Sequence, residues 1–104
     1  MDQTFELIKI LKSLKNKTLE EIKIEDHLTI KQLTTTIRFK FNTVELVIEG
    51  VAIERIAGEF TNLGNQLEDY EVLIGTNGSK ITLLFPEEEH ILLNFKIITN
   101  VFVK

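Results

Sequence analysis

The sequence predicts an α+β fold in which one N-terminal helix packs on a curved antiparallel sheet of about five or six strands, built from hairpins as a meander. Residues 2–16 carry apolar side chains at helical spacing, whereas later segments alternate apolar and polar residues. The dipeptide Asn77-Gly78 also has the composition of a two-residue type I′ hairpin turn. A helix followed by alternating runs and short turns indicates antiparallel neighbours.

Length and composition limit the classes of protein open to this chain. Its 104 residues, 43% hydrophobic and 27% charged, predict one globular domain over 1–104. The absence of cysteine excludes disulfides, thiolate nucleophiles and cysteine-based zinc sites. A net charge of −4 argues against nucleic-acid binding, and no apolar run approaches the ~18 residues of a membrane span.

Two further expectations follow from the composition. No signal-peptide pattern begins the chain, so we expect a cytoplasmic protein. Lysine outnumbers arginine and Ile, Asn and Glu are abundant, which is typical of a low-GC bacterium or phage.

The first element is a helix over residues 2–16. Asp2 is suited to the N-cap, and lysines near residue 15 complement the helix dipole at the C-terminal end. The apolar side chains cover a wide arc, which predicts firm packing across the sheet. This arc consists of Phe5, Leu7, Ile8, Ile10, Leu11 and Leu14.

Strands account for the next part of the chain. A short strand around Ile22 and Ile24 is followed by a reversal at 26–29 and a longer run to Phe41, with a bulge or bend near 31–32. The inward side chains of the longer run are Leu33, Thr35, Ile37, Phe39 and Phe41. A turn at 42–43 leads into a strand from Val44, in which the apolar parity switches at Gly50, as it does at a β-bulge.

The C-terminal half begins with an irregular segment, residues 57–69, and continues with the hairpin 70–85. A turn at Asn77-Gly78 predicts four cross-strand pairs, namely Thr76–Ser79, Ile74–Ile81, Val72–Leu83 and Tyr70–Phe85. A turn at 86–90 precedes the last strand. Its predicted inward residues are Ile91, Leu93, Phe95, Ile97, Val101 and Val103.

A meander places every second connection at the same end of the sheet. The loops near 25–27, 57–69 and 86–90 therefore predict an acidic end, opposite a lysine-rich end that includes Lys15. The acidic candidates for binding a partner with a basic surface are Glu25, Asp26, Glu68, Asp69, Glu87, Glu88 and Glu89. Ordinary solvation of polar turns is the competing interpretation.

The last strand carries apolar residues on its outward parity. Leu92, Ile98 and Phe102 would form an exposed row if this strand lay at a sheet edge, and an exposed row of this kind favours self-association. Coverage of the row by another segment is the alternative.

Catalysis has little support in the sequence. Two histidines, His27 and His90, each follow carboxylates, and a metal-dependent enzyme would require them to converge. Neither pair has a recognised ligand spacing, so we expect no metal, no cofactor and no catalytic residue. Serine is found only at Ser13 and Ser79, and no Gly-rich phosphate loop is present.

These observations favour a non-catalytic protein–protein interaction module. One version is an inhibitor or immunity-type protein that covers a basic cleft with its acidic end. The alternative is a small-molecule binder with an apolar pocket between the helix and the sheet.

Overall fold

The computed structural model describes residues 2–54 and 63–104, which form one helix and six strands. The elements, in chain order, are α1 (Thr4–Leu14), β1 (Leu19–Leu28), β2 (Leu33–Phe41), β3 (Glu45–Glu54), β4 (Asp69–Gly75), β5 (Gly78–Leu84), a short 3₁₀ turn (Pro86–Glu88) and β6 (His90–Val103). All strand pairs are antiparallel and the sheet order is β1-β2-β3-β6-β5-β4. The predicted α+β fold with a helix on an antiparallel sheet is confirmed.

The sheet consists of two three-stranded meanders joined through β6. This strand pairs with β5 along its first half, from His90 to Phe95, and with β3 along its second half, from Asn94 to Val103. A single continuous meander would instead have placed β4 beside β3. The 14-residue length of β6 allows it to serve both neighbours in succession.

The sheet curls until the segments beside its two edge strands meet. Residues 16–19, which lead into β1, run antiparallel to residues 64–67, which lead into β4, with a bridge between Thr18 and Gln66. Four backbone hydrogen bonds join them: Asn16 N to Leu67 O (2.7 Å), Leu67 N to Lys17 O (2.9 Å), Leu19 N to Asn65 O (2.9 Å) and Gly64 N to Leu19 O (2.7 Å). Closure at this point holds the curvature of the sheet.

Helix α1 fills the concave side of the sheet with a narrower stripe than the sequence predicts. Leu7, Leu11 and Leu14 are buried in one cluster with the aromatic residues of β2 and β6. Phe5 is 72% exposed, so the prediction that it belongs to the packed arc is wrong. Residues three and four apart share a helix face, and Phe5 lies off the face defined by the three leucines.

The N-terminus of α1 is tied to the sheet rather than capped by Asp2 at the N-cap position. Gln3 occupies that position, and its backbone N–H donates to the Ile98 carbonyl at 2.8 Å. The Asp2 carboxylate accepts hydrogen bonds from the Thr4 backbone N–H and the Thr4 hydroxyl. Asp2 therefore lies one residue before the N-cap and not, as predicted, at it, and its carboxylate still satisfies a backbone N–H of the first turn.

The β4–β5 hairpin has a different register from the predicted one. Gly75 pairs with Gly78, so Thr76 and Asn77 are the central residues of the turn. The observed pairs include Ile74↔Ser79, Val72↔Ile81 and Tyr70↔Leu83, two residues away from the predicted pairing. A two-residue shift preserves which side chains share a face, so the inward face of β5 is as expected.

The physical reason for the shift lies at Gly78. This residue has a φ of +126° and a Cβ there would lie 2.1 Å from the Phe95 carbonyl oxygen. A type I′ turn centred on Asn77 and Gly78 requires positive φ at both residues. Of the described residues other than glycine, only Asn16, Glu87 and Glu88 have positive φ, so Asn77 does not meet this requirement.

A β-bulge is present at Gly50, but the predicted switch of parity in β3 is wrong, because Ala52 still packs against the core and Ile53 is 61% exposed. Glu49 pairs with Asn100 and Gly50 pairs with Ile98, so Thr99 is the extra residue on β6. A second shift follows between Val51 and Ala52. These bulges turn Ile97 outward, at 40% exposed, and Ile98 inward, at 0%, which reverses the predicted placement of both.

The first hairpin turns later than the sequence predicts. Strand β1 continues through residues 26–27 to Leu28, and the chain reverses at 29–32 instead of 26–29. The bend expected near 31–32 is this reversal. In the segment 57–69, residues 57–62 lie outside the described residues, and Leu67 is fully buried.

Candidate protein-binding surface

The tip of the β1–β2 hairpin, residues 28–33, exposes a group of apolar side chains. Ile30 is 103% exposed and Leu28 is 82% exposed, and Leu33 beside them is 47% exposed. The Thr29 N–H donates to the Gln32 carbonyl, and the Gln32 N–H donates back to the Thr29 hydroxyl, so the turn is closed by its own hydrogen bonds. An ordered turn therefore presents two apolar side chains to solvent.

The hairpin behind this tip is held by polar contacts on the outer face of the sheet. Arg38 on β2 bridges Glu25 on β1, at 3.4 Å from Nε, and Glu45 on β3, at 3.3 Å from Nη1. On the inner face the Thr35 hydroxyl donates to Asp26 Oδ1 at 2.9 Å. These contacts fix β1 to β2 where the sheet extends beyond the core.

Strand β1 lies at an edge of the sheet. From Lys23 to Leu28 every residue is exposed, and within the described ranges no strand pairs with its outer side beyond Leu19. An edge strand presents unpaired backbone N–H and C=O groups, which can accept a further strand.

The residues of the predicted acidic end form two separate groups, because β3 and β5 pair with different halves of β6. Asp26 lies level with Ile98, through the pairs Asp26↔Thr35, Thr35↔Gly50 and Gly50↔Ile98. The turn at 86–89 lies beyond His90, and at about 3.3 Å per residue it is roughly 25 Å further along the strand direction. The expectation that Glu25 and Asp26 join the other acids is therefore wrong.

The remaining acidic residues do meet at one place. The Glu68 N–H donates to the Leu84 carbonyl, Asp69 pairs with Leu84, and Leu84 pairs with His90 at the end of the 86–89 turn. This acidic group, defined as Glu68, Asp69, Glu87, Glu88 and Glu89, lies at one end of the second meander.

Two members of the acidic group have unusual backbone conformations. Glu87 and Glu88 have φ values of 62° and 64°, in the left-handed region that side chains other than glycine seldom adopt. Both are exposed, so no burial of their side chains compensates for this conformation.

A lysine side chain lies close to the acidic group. Lys15, placed by the sequence at the far end of the sheet, has its Nζ 3.7 Å from Asp69 Oδ1. The curl of the sheet brings the C-terminal end of α1 beside the start of β4, so the predicted separation into an acidic and a basic end does not hold.

The predicted self-association row on the last strand is not formed. Strand β6 lies inside the sheet order between β3 and β5, and Ile98 is fully buried in the core. Leu92 and Phe102 are half-buried and stand ten residues apart, about 33 Å at the usual rise of a strand. The bulges described above account for the inward turn of Ile98.

The two histidines do not converge. His27 pairs with Thr34 near the tip of the first hairpin, whereas His90 pairs with Leu84 at the opposite part of the sheet. Within residues 2–54 and 63–104, no three His, Asp or Glu side chains are arranged to hold a metal ion.

Two shallow cavities lie at the β4–β5 turn, lined by residues that the structure describes. Their volumes are ≈ 380 Å³ and ≈ 350 Å³, and both are bordered by Ile53, Thr76 and Asn77. Neither lies between α1 and the sheet, where the small-molecule alternative places its pocket. The leucines of α1 are buried there in the same cluster as Phe39, Phe41 and Phe95.

The hairpin tip was missed in the sequence, although a signal was present. Leu28 and Ile30 lie on the parity opposite to Leu33, and this mismatch is the basis of the predicted bulge or bend near 31–32. A turn at 29–32 accounts for the same mismatch, because Leu28 pairs with Leu33 at the end of the hairpin and Ile30 lies on the turn.

Comparisons with protein-family models, with curated proteins and with solved structures found no match. Within the part of the chain that the structure describes, no helix is long and apolar enough to cross a membrane. The fold defines an α+β protein with one helix on a six-stranded antiparallel sheet.

Proposed function

We propose that this protein is a non-catalytic protein–protein interaction module that docks through the β1–β2 hairpin. The observation that carries the proposal is the exposure of Leu28 and Ile30 on an ordered turn. Apolar side chains exposed together on a rigid element favour a binding role, because an anchor residue gains binding energy when it enters a pocket on the partner.

The surroundings of the hairpin tip fit this role. The strands behind it are anchored by Arg38 and Asp26, so little conformational entropy is lost when the tip docks. Charged residues of β1 surround the apolar tip, and a polar rim of this kind is typical of protein interfaces.

Photo-crosslinking tests the proposal directly. A photoreactive phenylalanine analogue at position 30 is expected to crosslink a discrete protein in cells that express the chain, and the same analogue at position 5 is not. Phe5 is the matched control because it is also highly exposed but lies on α1, away from the hairpin. Crosslinking of the same proteins at both positions would contradict the proposal.

Substitution of the tip gives a second readout. Leu28→Ser with Ile30→Ser is expected to weaken capture of the crosslinked protein at least about tenfold, as loss of an interface anchor does. Leu73→Ser with Ile74→Ser, on the exposed edge strand β4, is the control and leaves capture unchanged.

A second candidate is the inhibitor or immunity-type protein that uses acidic residues. It is favoured by the acidic group at residues 68–69 and 87–89, where Glu87 and Glu88 are exposed in the left-handed region. Replacing Glu87, Glu88 and Glu89 by Gln is expected to slow association with a basic partner at low salt. An unchanged association rate would remove this candidate and leave the hairpin proposal intact.

A further inference from the structure

When two copies of β1 are placed side by side in antiparallel orientation, charged residues of one copy lie opposite residues of the other sign on the second copy. We infer that β1 pairs with β1 of a second copy of this chain, about a two-fold axis through Ile24, so that two sheets become one. This inference rests on the proposed function of protein binding by the β1–β2 hairpin, and it names the partner of the hairpin's outer strand.

Antiparallel pairing centred on Ile24 brings opposite charges together on the outer face. Lys23 lies opposite Glu25 of the second copy, twice by symmetry, and Glu21 lies opposite His27 of the second copy, whose imidazole N–H can donate to a carboxylate. Opposite charges in directly facing positions stabilise a pair of strands, whereas like charges destabilise it. The two Glu25 side chains already lie beside Arg38, so the ionic row Glu45–Arg38–Glu25 continues to Lys23 of the other copy.

The inner face of the same pairing contributes an apolar contact. Ile24 shares its face with the buried Ile37, its partner on β2, and is still 39% exposed. On the two-fold axis it meets Ile24 of the second copy, and cross-strand β-branched pairs are favourable.

Other registers are poorer. A centre moved by one residue places Lys23 opposite Lys23, or Glu25 opposite Glu25, and so opposes like charges. A centre at Ile22 leaves only residues 20–24 to pair, because the outer side of Leu19 is already hydrogen-bonded to residues 64–65. The register through Ile24 pairs β1 over its whole length from Glu20 to Leu28.

The same obstruction determines where the pairing stops. Leu28 lies opposite Glu20 of the second copy, and the next residue of that copy, Leu19, already has its outer side hydrogen-bonded to residues 64–65. Ile30 therefore stays outside the seam between the copies. The assembly presents two hairpin tips, pointing in opposite directions, to further partners.

Cysteine crosslinking tests the axis, since the chain has no cysteine of its own. Ile24→Cys is expected to form a disulfide-linked dimer under mild oxidation, on the order of a hundredfold faster than a control at the other edge, Leu73→Cys, because pairing raises the effective thiol concentration. Equal rates for the two variants would overturn the inference.

Charge exchange tests the register by light scattering. Lys23→Glu and Glu25→Lys are each expected to weaken the dimer about tenfold or more, since each variant places two like-charged pairs across the seam. The double variant Lys23→Glu/Glu25→Lys restores it, and Lys9→Glu on the exposed face of α1 leaves it unchanged. Circular dichroism confirms that each variant folds.

The outcomes separate this inference from the proposed function. A wild-type chain that is monomeric at high micromolar concentration, or a dimer indifferent to both Lys23→Glu and Glu25→Lys, overturns the pairing of β1. In either case the crosslinking at position 30 still decides whether the hairpin tip binds another protein.

Discussion

The hydroxyl oxygen of Thr4 lies 3.0 Å from the hydroxyl oxygen of Ser79, in a buried contact that joins the first turn of α1 to β5. The Thr4 hydroxyl donates its proton to the Asp2 carboxylate, so the Ser79 hydroxyl is the donor to Thr4. These two hydrogen bonds connect the start of α1 to the sheet beside Gly78, where β5 approaches β6.

Substitution at the two hydroxyls tests the direction of these hydrogen bonds. Thr4→Val leaves the buried Ser79 hydroxyl without its acceptor and is expected to lower the free energy of unfolding by about 1–3 kcal/mol. Ser79→Ala removes the donor and leaves Thr4 bonded to Asp2, at a cost of about 1 kcal/mol. Urea unfolding measures both, and a larger loss for Ser79→Ala would contradict the assigned direction.

The two glycines of the β4–β5 turn are expected to differ sharply in the stability that is lost when each is replaced by alanine. Gly78→Ala places a Cβ 2.1 Å from the Phe95 carbonyl oxygen at a φ of +126°, so it is expected to cost at least about 3 kcal/mol or to prevent folding. Gly75→Ala is the matched control, because its Cβ would lie 3.7 Å from the Gly78 carbonyl oxygen, at ordinary van der Waals distance. Thermal unfolding distinguishes them, and similar losses would argue against the observed register.

Two apolar positions of α1 provide a comparison within one helix. Leu11→Ala is expected to lower the free energy of unfolding by about 2–5 kcal/mol, because a fully buried side chain leaves a cavity. Phe5→Ala, at a side chain that is 72% exposed, is expected to change stability by less than about 0.5 kcal/mol. Chemical denaturation measures the difference, and a large loss for Phe5→Ala would show that this side chain is packed.

The left-handed backbone conformation of Glu87, before β6, predicts a stabilising substitution. Glu87→Gly is expected to raise the free energy of unfolding by a few tenths to about 1 kcal/mol, since glycine adopts a φ of 62° without the steric penalty of a Cβ. Glu71→Gly, at an exposed position within β4, is the control and destabilises the protein because glycine weakens a strand. A loss of stability for Glu87→Gly would contradict the backbone assignment.

Several features of the fold were predictable because they depend on local sequence. The buried face of β2 follows from alternation at Ile37, Phe39 and Phe41, since successive residues of a strand point to opposite faces. The position of the bulge at Gly50 was also visible, because a glycine inside a strand is typical of a bulge, although the extra residue lies on β6.

The candidate site was less predictable, because it depends on how distant strands pair. Alternation cannot distinguish β3 beside β4 from β3 beside β6, and this choice separates Glu25 and Asp26 from the acidic group. Nor does it show that Ile98 faces inward, since two successive bulges change the parity of β6 within a few residues.

By itself the sequence determined the α+β class, the number of alternating segments and the inward residues of β2, because backbone conformation and one-sided burial are encoded in neighbouring residues. Only the tertiary structure decided that β6 joins two meanders, that the sheet curls until residues 16–19 meet 64–67, and that Ile30 stands in solvent. These features arise from hydrogen bonds and contacts between residues far apart in the chain, and no local pattern specifies them.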